Sequence, residues 1–429
     1  MKNQILKKIL ILIILSSLSI LLYACNSEET LTGREDNKES PQITLDFWHH
    51  YSAQSPENEI LTNVLIPKFE EENKGYKINA VSHEWADLHD KFIISTNSGM
   101  LPDVGRLDIA WLPEFEKMDI LVPLDKEISE FESVSSELLE NALNTAKIGD
   151  HYYALPLNTN TKILFVNKTA FNDNDIQIPS TMQEMLEVAK ELSGKNPDGK
   201  QIWGLCEPAL SGWNVLPYIW SFGGDITDET YTKASGYVNS PETVEAINML
   251  KELYKADALT GFNSGDIPMT DGFGTGRYMM IIDGPWKIAE LKGSYPDFQY
   301  ETADVPSGKG GSVSVLGGEN IGMLKGGNQE GAWAFMKFMT GSFAQEEMAK
   351  AGQIPVNKAA LQSNTVKNAP FAPFLDAITK AKIRPPIATW SEVDNELSIA
   401  ITKILTEDAD TQKTLDELAI KLDALLADK

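Results

Sequence analysis

The sequence predicts an α/β protein of two domains, and three observations predict it. The chain has 429 residues, more than the size at which a single hydrophobic core keeps growing. From residue 43 onward, strand-like alternation and helix-like spacing succeed one another, the rhythm of a mostly parallel sheet covered by helices. Residues 278–282 (YMMII) form a continuous apolar run between turn residues, as a strand buried on both faces does.

In order along the chain, Lys2, Lys7 and Lys8 precede an apolar run from Ile9 to Leu22. That is the build of a targeting signal, and the run is too short for a spanning helix. It ends in Leu22-Tyr23-Ala24-Cys25, which resembles the bacterial lipoprotein box. Residues 1–24 are therefore expected to be a lipoprotein signal peptide and Cys25 the lipidated residue. Two acyl chains hold a protein firmly, at about 0.8 kcal/mol per buried methylene. Residues 25–41 are polar and poor in large apolar side chains, the composition of a disordered tether. The other cysteine, Cys206, then has no intramolecular partner and reads as a small core residue.

Ordered structure is expected from the alternating Ile43–Trp48 stretch. A helix follows, with Ile60, Leu61, Val64, Leu65 and Phe69 on one side and Pro67 set to kink or split it. Tyr76 to Val81 reads as a strand, Leu88, Phe92 and Ile93 mark a helix stopped by Gly99, and residues 101–108 read as a strand ending on Asp108. Residues 135–146 read as a further helix. Two extended segments, 152–156 and 162–166, flank a polar joint at 157–161 that is the first expected interdomain crossing. Thr181 and Glu184 form a capping box, and Ser240-Pro241 opens another helix. Residues 203–225 read as aromatic, ligand-facing loop, and Gly272, Gly274 and Gly276 as a glycine-rich loop. Helices are expected again at 330–343, 344–351, 371–380, 390–405 and 415–426. The domains expected are 42–157 with 301–341, and 158–300 with 342–429.

Charge and motifs exclude several functions. With 62 acidic and 37 basic residues the net charge is -25, which argues against nucleic acid, whose phosphates need a basic footprint. His83-Glu84 begins like a zinc-protease helix, but the second histidine position holds Asp87. There is no GxSxG elbow, no dinucleotide fingerprint and no phosphate loop. His49 and His50, adjacent on a strand, point to opposite faces and do not chelate together. Neither metal, cofactor nor catalytic residue is expected.

The positive signal is aromatic residues and carboxylates at element edges: Trp48, Trp111, Trp213 and Trp286 with Asp108, Glu207, Asp225, Asp283, Glu319 and Asn320. Any one of these indoles alone could be core packing. Together they make the pattern a sugar wants, since pyranose rings offer apolar faces to indoles and hydroxyls to oriented acceptors.

Leu101-Pro102-Asp103-Val104 with Asp108 and Trp111, Tyr152-Tyr153-Ala154-Leu155-Pro156 leading to Phe165-Val166-Asn167-Lys168, residues 279–286, Gly317-Gly318-Glu319-Asn320 and Gly352-Gln353-Ile354-Pro355-Val356 occur in this order. By these motifs the chain resembles the extracellular solute-binding proteins of carbohydrate ABC importers, the maltodextrin and oligosaccharide group included. The resemblance implies a type II periplasmic-binding-protein fold, two α/β lobes with a hinge and a ligand cleft. It implies a monomer, lipid-anchored at the extracytoplasmic face of the cell membrane, that binds a sugar and passes it to permease subunits. It carries stacking roles to Trp286 and Trp390, and a cleft role to Trp48, His49 and Tyr51. Maltodextrin-binding members have a carboxylate at the first crossing, where this chain has Asn160, so a maltose ligand does not carry over. Two alternatives stand beside an oligosaccharide binder. One is a binder of another solute such as a sugar phosphate, for which Arg106, Arg277 and Arg384 are the candidate cations. The other is a surface-anchored glycoside hydrolase, where paired carboxylates flank the sugar.

Overall fold

Alternation of side chains along strands sorts the apolar residues of the computed structural model, which describes residues 42–427. The expected signal peptide, Cys25 and tether lie outside the described residues. In the Ile163–Asn167 strand, Leu164 and Val166 face one core while Ile163 and Phe165 face another. Leu205 and Cys206 divide the same way, as do Met280 and Ile281 on Tyr278–Asp283. Every residue of Tyr278–Asp283 is buried, so this sheet is covered on both faces, as its continuous apolar run requires.

There are two six-stranded sheets among the described residues. The first has the order Lys382–Ile383, Val315–Met323, Val104–Asp108, Ile43–His49, Tyr76–Ser82, with Ala154–Thr161 also paired to Val315–Met323. The second has the order Leu259–Thr260, Gln201–Cys206, Tyr278–Asp283, Ile163–Asn167, Tyr300–Ala303, with Gly194–Lys195 on Gln201–Cys206. The backbone passes from the first sheet to the second at Lys162, between strands ending at Thr161 and starting at Ile163. It returns between Ala303 and Val315. Among the described residues no helix is long and apolar enough to cross a membrane.

Several local expectations need correction. The helix after the first strand is interrupted by a π-helical turn, Leu61–Leu65, just before Pro67, which absorbs the missing proline N–H without a break. Residues 135–146 are not one helix but short turns, Phe131–Ser135, Glu140–Leu143 and Asn144–Ala146. The polar joint at 157–161 is itself part of the Ala154–Thr161 strand, because its backbone pairs with Val315–Met323. Gly272 and Gly274 are not in a loop but in the Met269–Gly274 helix. A Cβ there would meet the rings of Tyr278 and Tyr295 at 2.1 and 2.3 Å, so they are glycines for close packing. Residues 203–225 are not one loop, since 203–206 end the Gln201–Cys206 strand and Gly212–Phe222 is a helix with Trp220 buried. Residues 301–303 pair with Ile163–Asn167, so a first-domain segment starting at 301 begins too early. The Thr181–Glu184 capping box and the Pro241-led helix form as expected.

Candidate functional site

A cavity of ≈ 520 Å³ opens where the carboxyl ends of several strands meet helix starts. The first sheet supplies His50 and Tyr51 just past Ile43–His49, Arg106 and Asp108 on Val104–Asp108, Asn160 on Ala154–Thr161, and Glu319 on Val315–Met323. Glu57 comes from the first turn of the Pro56–Ile60 helix and Trp85 from the start of Trp85–Ser98. From the other side come Trp213 and Asn214 on Gly212–Phe222, and Trp286 and Glu290 on Trp286–Ser294. Gln353 and Arg384 complete the wall.

Register explains the polar side. Glu319 lies opposite Asp108 on one neighbouring strand, and Gly317 opposite Asn160 on the other. Gly317 has to be glycine, since a Cβ would come within 2.1 Å of the Asn160 amide oxygen and 2.7 Å of the Trp213 ring. Two arginines are held on this floor. The Arg106 guanidinium is 2.9 Å from Glu319 Oε2 and lies over the Tyr51 ring at 4.1 Å. Arg384 donates to Asp108 Oδ1 at 2.5 Å, and Asp108 also accepts from the Ala110 N–H and from Trp85 Nε1. Burial alone would raise the Glu319 carboxyl, but the Arg106 guanidinium brings it down to about 2. Burial and Arg106 push both His49 and His50 downward, His49 to about 3, so both imidazoles are neutral. Burial drives the Tyr51 phenol up to about 12.

The apolar side is two indoles. Trp213 and Trp286 lie with ring centroids 6.4 Å apart and planes 30° apart. Trp213 is backed by two cations, Arg384 at 5.4 Å and Lys162 at 5.9 Å from its centroid. Lys162 is itself buried, donating to Asn214 Oδ1 at 2.7 Å and lying 3.4 Å from Glu207 Oε2.

The cavity wall also holds polar atoms that are buried without a hydrogen-bond partner: both ring nitrogens of His50, Glu57 Oε2, Arg106 Nε, Asn160 Oδ1, Gln353 Oε1 and Arg384 Nε. Each orphan of this kind costs about 1–3 kcal/mol. Seven of the eleven such atoms among the described residues belong to this wall, which makes it the part of the molecule richest in polar groups lacking a partner.

Of the residues predicted from sequence, Tyr51, Asp108, Asn160, Trp213, Trp286 and Glu319 line the cavity together. The others do not. His49 points into the core, its Nδ1 accepting the Tyr51 N–H at 3.3 Å. Trp48 is half-buried against His83 and Phe92. Trp111 is 2% exposed and packs behind Trp85 and His50. Asn320 is within the sheet, donating to the Thr145 carbonyl. Asp283 is tied to Lys287 at 3.2 Å and accepts the Gly284 N–H, so it serves its own turn. Asp225 accepts from Trp220 Nε1 at a separate surface hollow. Trp390 is in the core of the second sheet.

The residues missed are His50, Glu57, Trp85 and Gln353, while Arg106 and Arg384 are read from sequence only as candidate cations for a sugar phosphate. For two of these residues a signal existed. Leu45, Phe47 and His49 alternate as one core face, which leaves His50 on the other side. Arg106 is two residues before Asp108 on the same strand, so the face that delivers one delivers the other.

The sequence pattern of bacterial extracellular solute-binding proteins matches residues 65–373. A multiple sugar-binding protein of Streptococcus mutans is 24% identical over 382 residues, 86% of this chain and 86% of the relative. The sn-glycerol-3-phosphate-binding periplasmic protein of Escherichia coli is 26% identical over 342 residues, 74% of this chain and 75% of that protein. Among solved structures, the GacH receptor of Streptomyces glaucescens superposes with a TM-score of 0.81 at 23% identity, covering 91% of this chain and 100% of the receptor.

Proposed function

The chain belongs to the bacterial extracellular solute-binding protein family, and from that premise we propose that it captures a short oligosaccharide against Trp213 and Trp286 for an ABC importer. The observation that carries this reading is the pairing of those indoles with a floor of Asp108, Asn160 and Glu319 around one cavity. Sugar rings have apolar faces for the indoles and hydroxyls for the acceptors. A volume of ≈ 520 Å³ suits a ligand of a few rings. Micromolar capture needs about 8 kcal/mol, within reach of two stacked rings and a handful of hydrogen bonds.

The mechanism follows from the two chain crossings, at Lys162 and between Ala303 and Val315. In this reading the lobes turn about those crossings, ligand bound to one is enclosed by the other, and the closed form docks on permease subunits; hinge closure of periplasmic binding proteins is the standard case. The leader and Leu22-Tyr23-Ala24-Cys25 support a lipid anchor at Cys25 that holds a monomer at the outer face of the cell membrane. Membrane fractionation tests it: Cys25→Ser should release the protein from membranes, and retention counts against the anchor.

A sugar phosphate fits less well, because Arg106 and Arg384 are already occupied by Glu319 and Asp108. A hydrolase fits less well because Asp108, Glu290 and Glu319 are each held by a cation, which leaves Glu57 the one cavity carboxylate without an ion pair among the described residues, whereas glycosidases need a free acid and a second free carboxylate. Isothermal calorimetry with neutral oligosaccharides tests the main reading. Trp286→Ala should weaken binding by about 10- to 100-fold, and an unchanged affinity would put the sugar elsewhere. Labelled oligosaccharides should be recovered intact after incubation; cleavage would favour the hydrolase.

A further inference from the structure

The cavity holds four carboxylates, Glu57, Asp108, Glu290 and Glu319, and two arginines. Three of the acids have cationic partners. Glu319 is with Arg106 and Asp108 with Arg384, while Glu290 is 2.6 Å from Lys287. Glu57 forms no ion pair among the described residues. It is 6% exposed, its Oε1 accepts from the Gln353 amide at 3.1 Å, and its Oε2 has no partner. Burial pushes this carboxyl above its ordinary range and Glu290 adds to the push, while hydrogen bonds from Ser55 and its own backbone, and the Arg106 charge, pull the other way. Among the described residues of this pocket both arginines are therefore ion-paired and one acid is not.

We propose that Glu57 is a specificity-determining residue, one that receives a ligand hydroxyl at Oε2 and turns away anionic saccharides. The inference rests on the sugar reading above and adds its charge class. A hydroxyl donates to the orphan oxygen and completes it. A phosphate or carboxylate oxygen only accepts, so at Glu57 Oε2 it meets lone pairs, and the two guanidinium groups, whose Nε–H donors are free, have their charge already neutralised by Glu319 and Asp108. Like charges a few ångströms apart in a half-dry cavity repel strongly enough to shift affinity by about tenfold or more.

Calorimetry on the full chain with maltose, cellobiose and their 6′-phosphates tests this, comparing the protein with Glu57→Gln. The glutamine keeps the shape and the acceptor for Gln353 while removing the charge. The unsubstituted protein should bind a neutral disaccharide at least about tenfold more tightly than its phosphate, and in Glu57→Gln that ratio should narrow by about tenfold, whatever happens to the neutral affinity itself. A ratio that Glu57→Gln leaves unchanged, or a phosphate bound as tightly as its parent sugar, overturns the role of Glu57 while leaving sugar binding intact. Heat from neither class overturns the sugar reading and this inference with it.

Discussion

Two clusters of buried charge, one beside the Trp213 ring and one on the cavity floor, are built in opposite ways. In the first, Lys162, Glu207, Tyr218 and Asn214 form a closed set: Lys162 reaches both Glu207 and Asn214, and the Tyr218 hydroxyl donates to Glu207 Oε1 at 2.5 Å. None of their side-chain polar atoms is left without a partner. In the second, Arg106, Glu319, His50 and Asn160 also pair, yet four of their buried atoms have nothing to bond. We read the completed network as holding a ring in place and the incomplete one as the part a ligand would complete. Charge and burial alone do not separate the two roles; satisfaction does.

The largest effect that would break this contrast is on stability. Lys162→Met strips Glu207 of its cation inside the protein and should cost about 3–5 kcal/mol in urea denaturation. A loss below about 1 kcal/mol would mean the closed cluster supports little. Removing an orphan should do the reverse. His50→Ala or Asn160→Ala should weaken oligosaccharide binding by about tenfold while leaving the melting temperature of the free protein level or higher, because a desolvated group with no partner is gone. A large drop in melting temperature with unchanged affinity would place these residues in the scaffold.

The clusters also titrate in opposite directions. Burial raises Glu207 to about 7 against the pull of Lys162, whereas Glu319 is held at about 2. A raised acid contributes stability below its unfolded value near 4.5 that is lost as pH climbs through 7. A depressed acid contributes stability above 4.5 that is lost as pH falls toward 2, and His49, lowered from 6.5 to about 3, also loses stability on acidification. Melting temperature against pH should therefore respond to Glu207→Gln mainly between pH 4.5 and 7, and to Glu319→Gln mainly below pH 4.5. Identical profiles for the two variants would contradict the contrast.

The smallest effect is at a contact outside the cavity lining. Ser391, on the Trp390–Thr406 helix of the second core, donates to Glu114 Oε2 at 2.7 Å and lies 3.1 Å from His89 Nε2. Ser391→Ala should speed ligand release severalfold in stopped-flow fluorescence, the worth of about 1 kcal/mol for a partly buried hydrogen bond. An unchanged release rate would make that contact incidental to closure.

What was legible in the sequence follows from how local each signal is. The strand–helix rhythm, the Thr181–Glu184 box and the doubly buried Tyr278–Asp283 strand need only nearest neighbours, and they appear in the structure. Asp108, Trp213 and Trp286 were legible because strand ends and helix starts in an α/β fold face the cleft. His49 against His50 turned on one residue of register, where every side chain changes face. Trp111 and Trp390 have the same residue type and edge position as the cavity indoles, but only the packing of distant helices buries them. Arg384 was named only as a candidate cation for a phosphate, since it is in an irregular stretch whose place at Asp108 depends on residues 276 positions apart.

The most direct test of the claim that orphaned polar atoms define the binding site is a crystal structure of the protein with a bound neutral oligosaccharide. The account predicts a sugar ring against the Trp213 and Trp286 indoles, with hydroxyls on His50, Glu57, Asn160 and Gln353. A sugar bound elsewhere, or one in the cavity that leaves those atoms unpartnered, would contradict it.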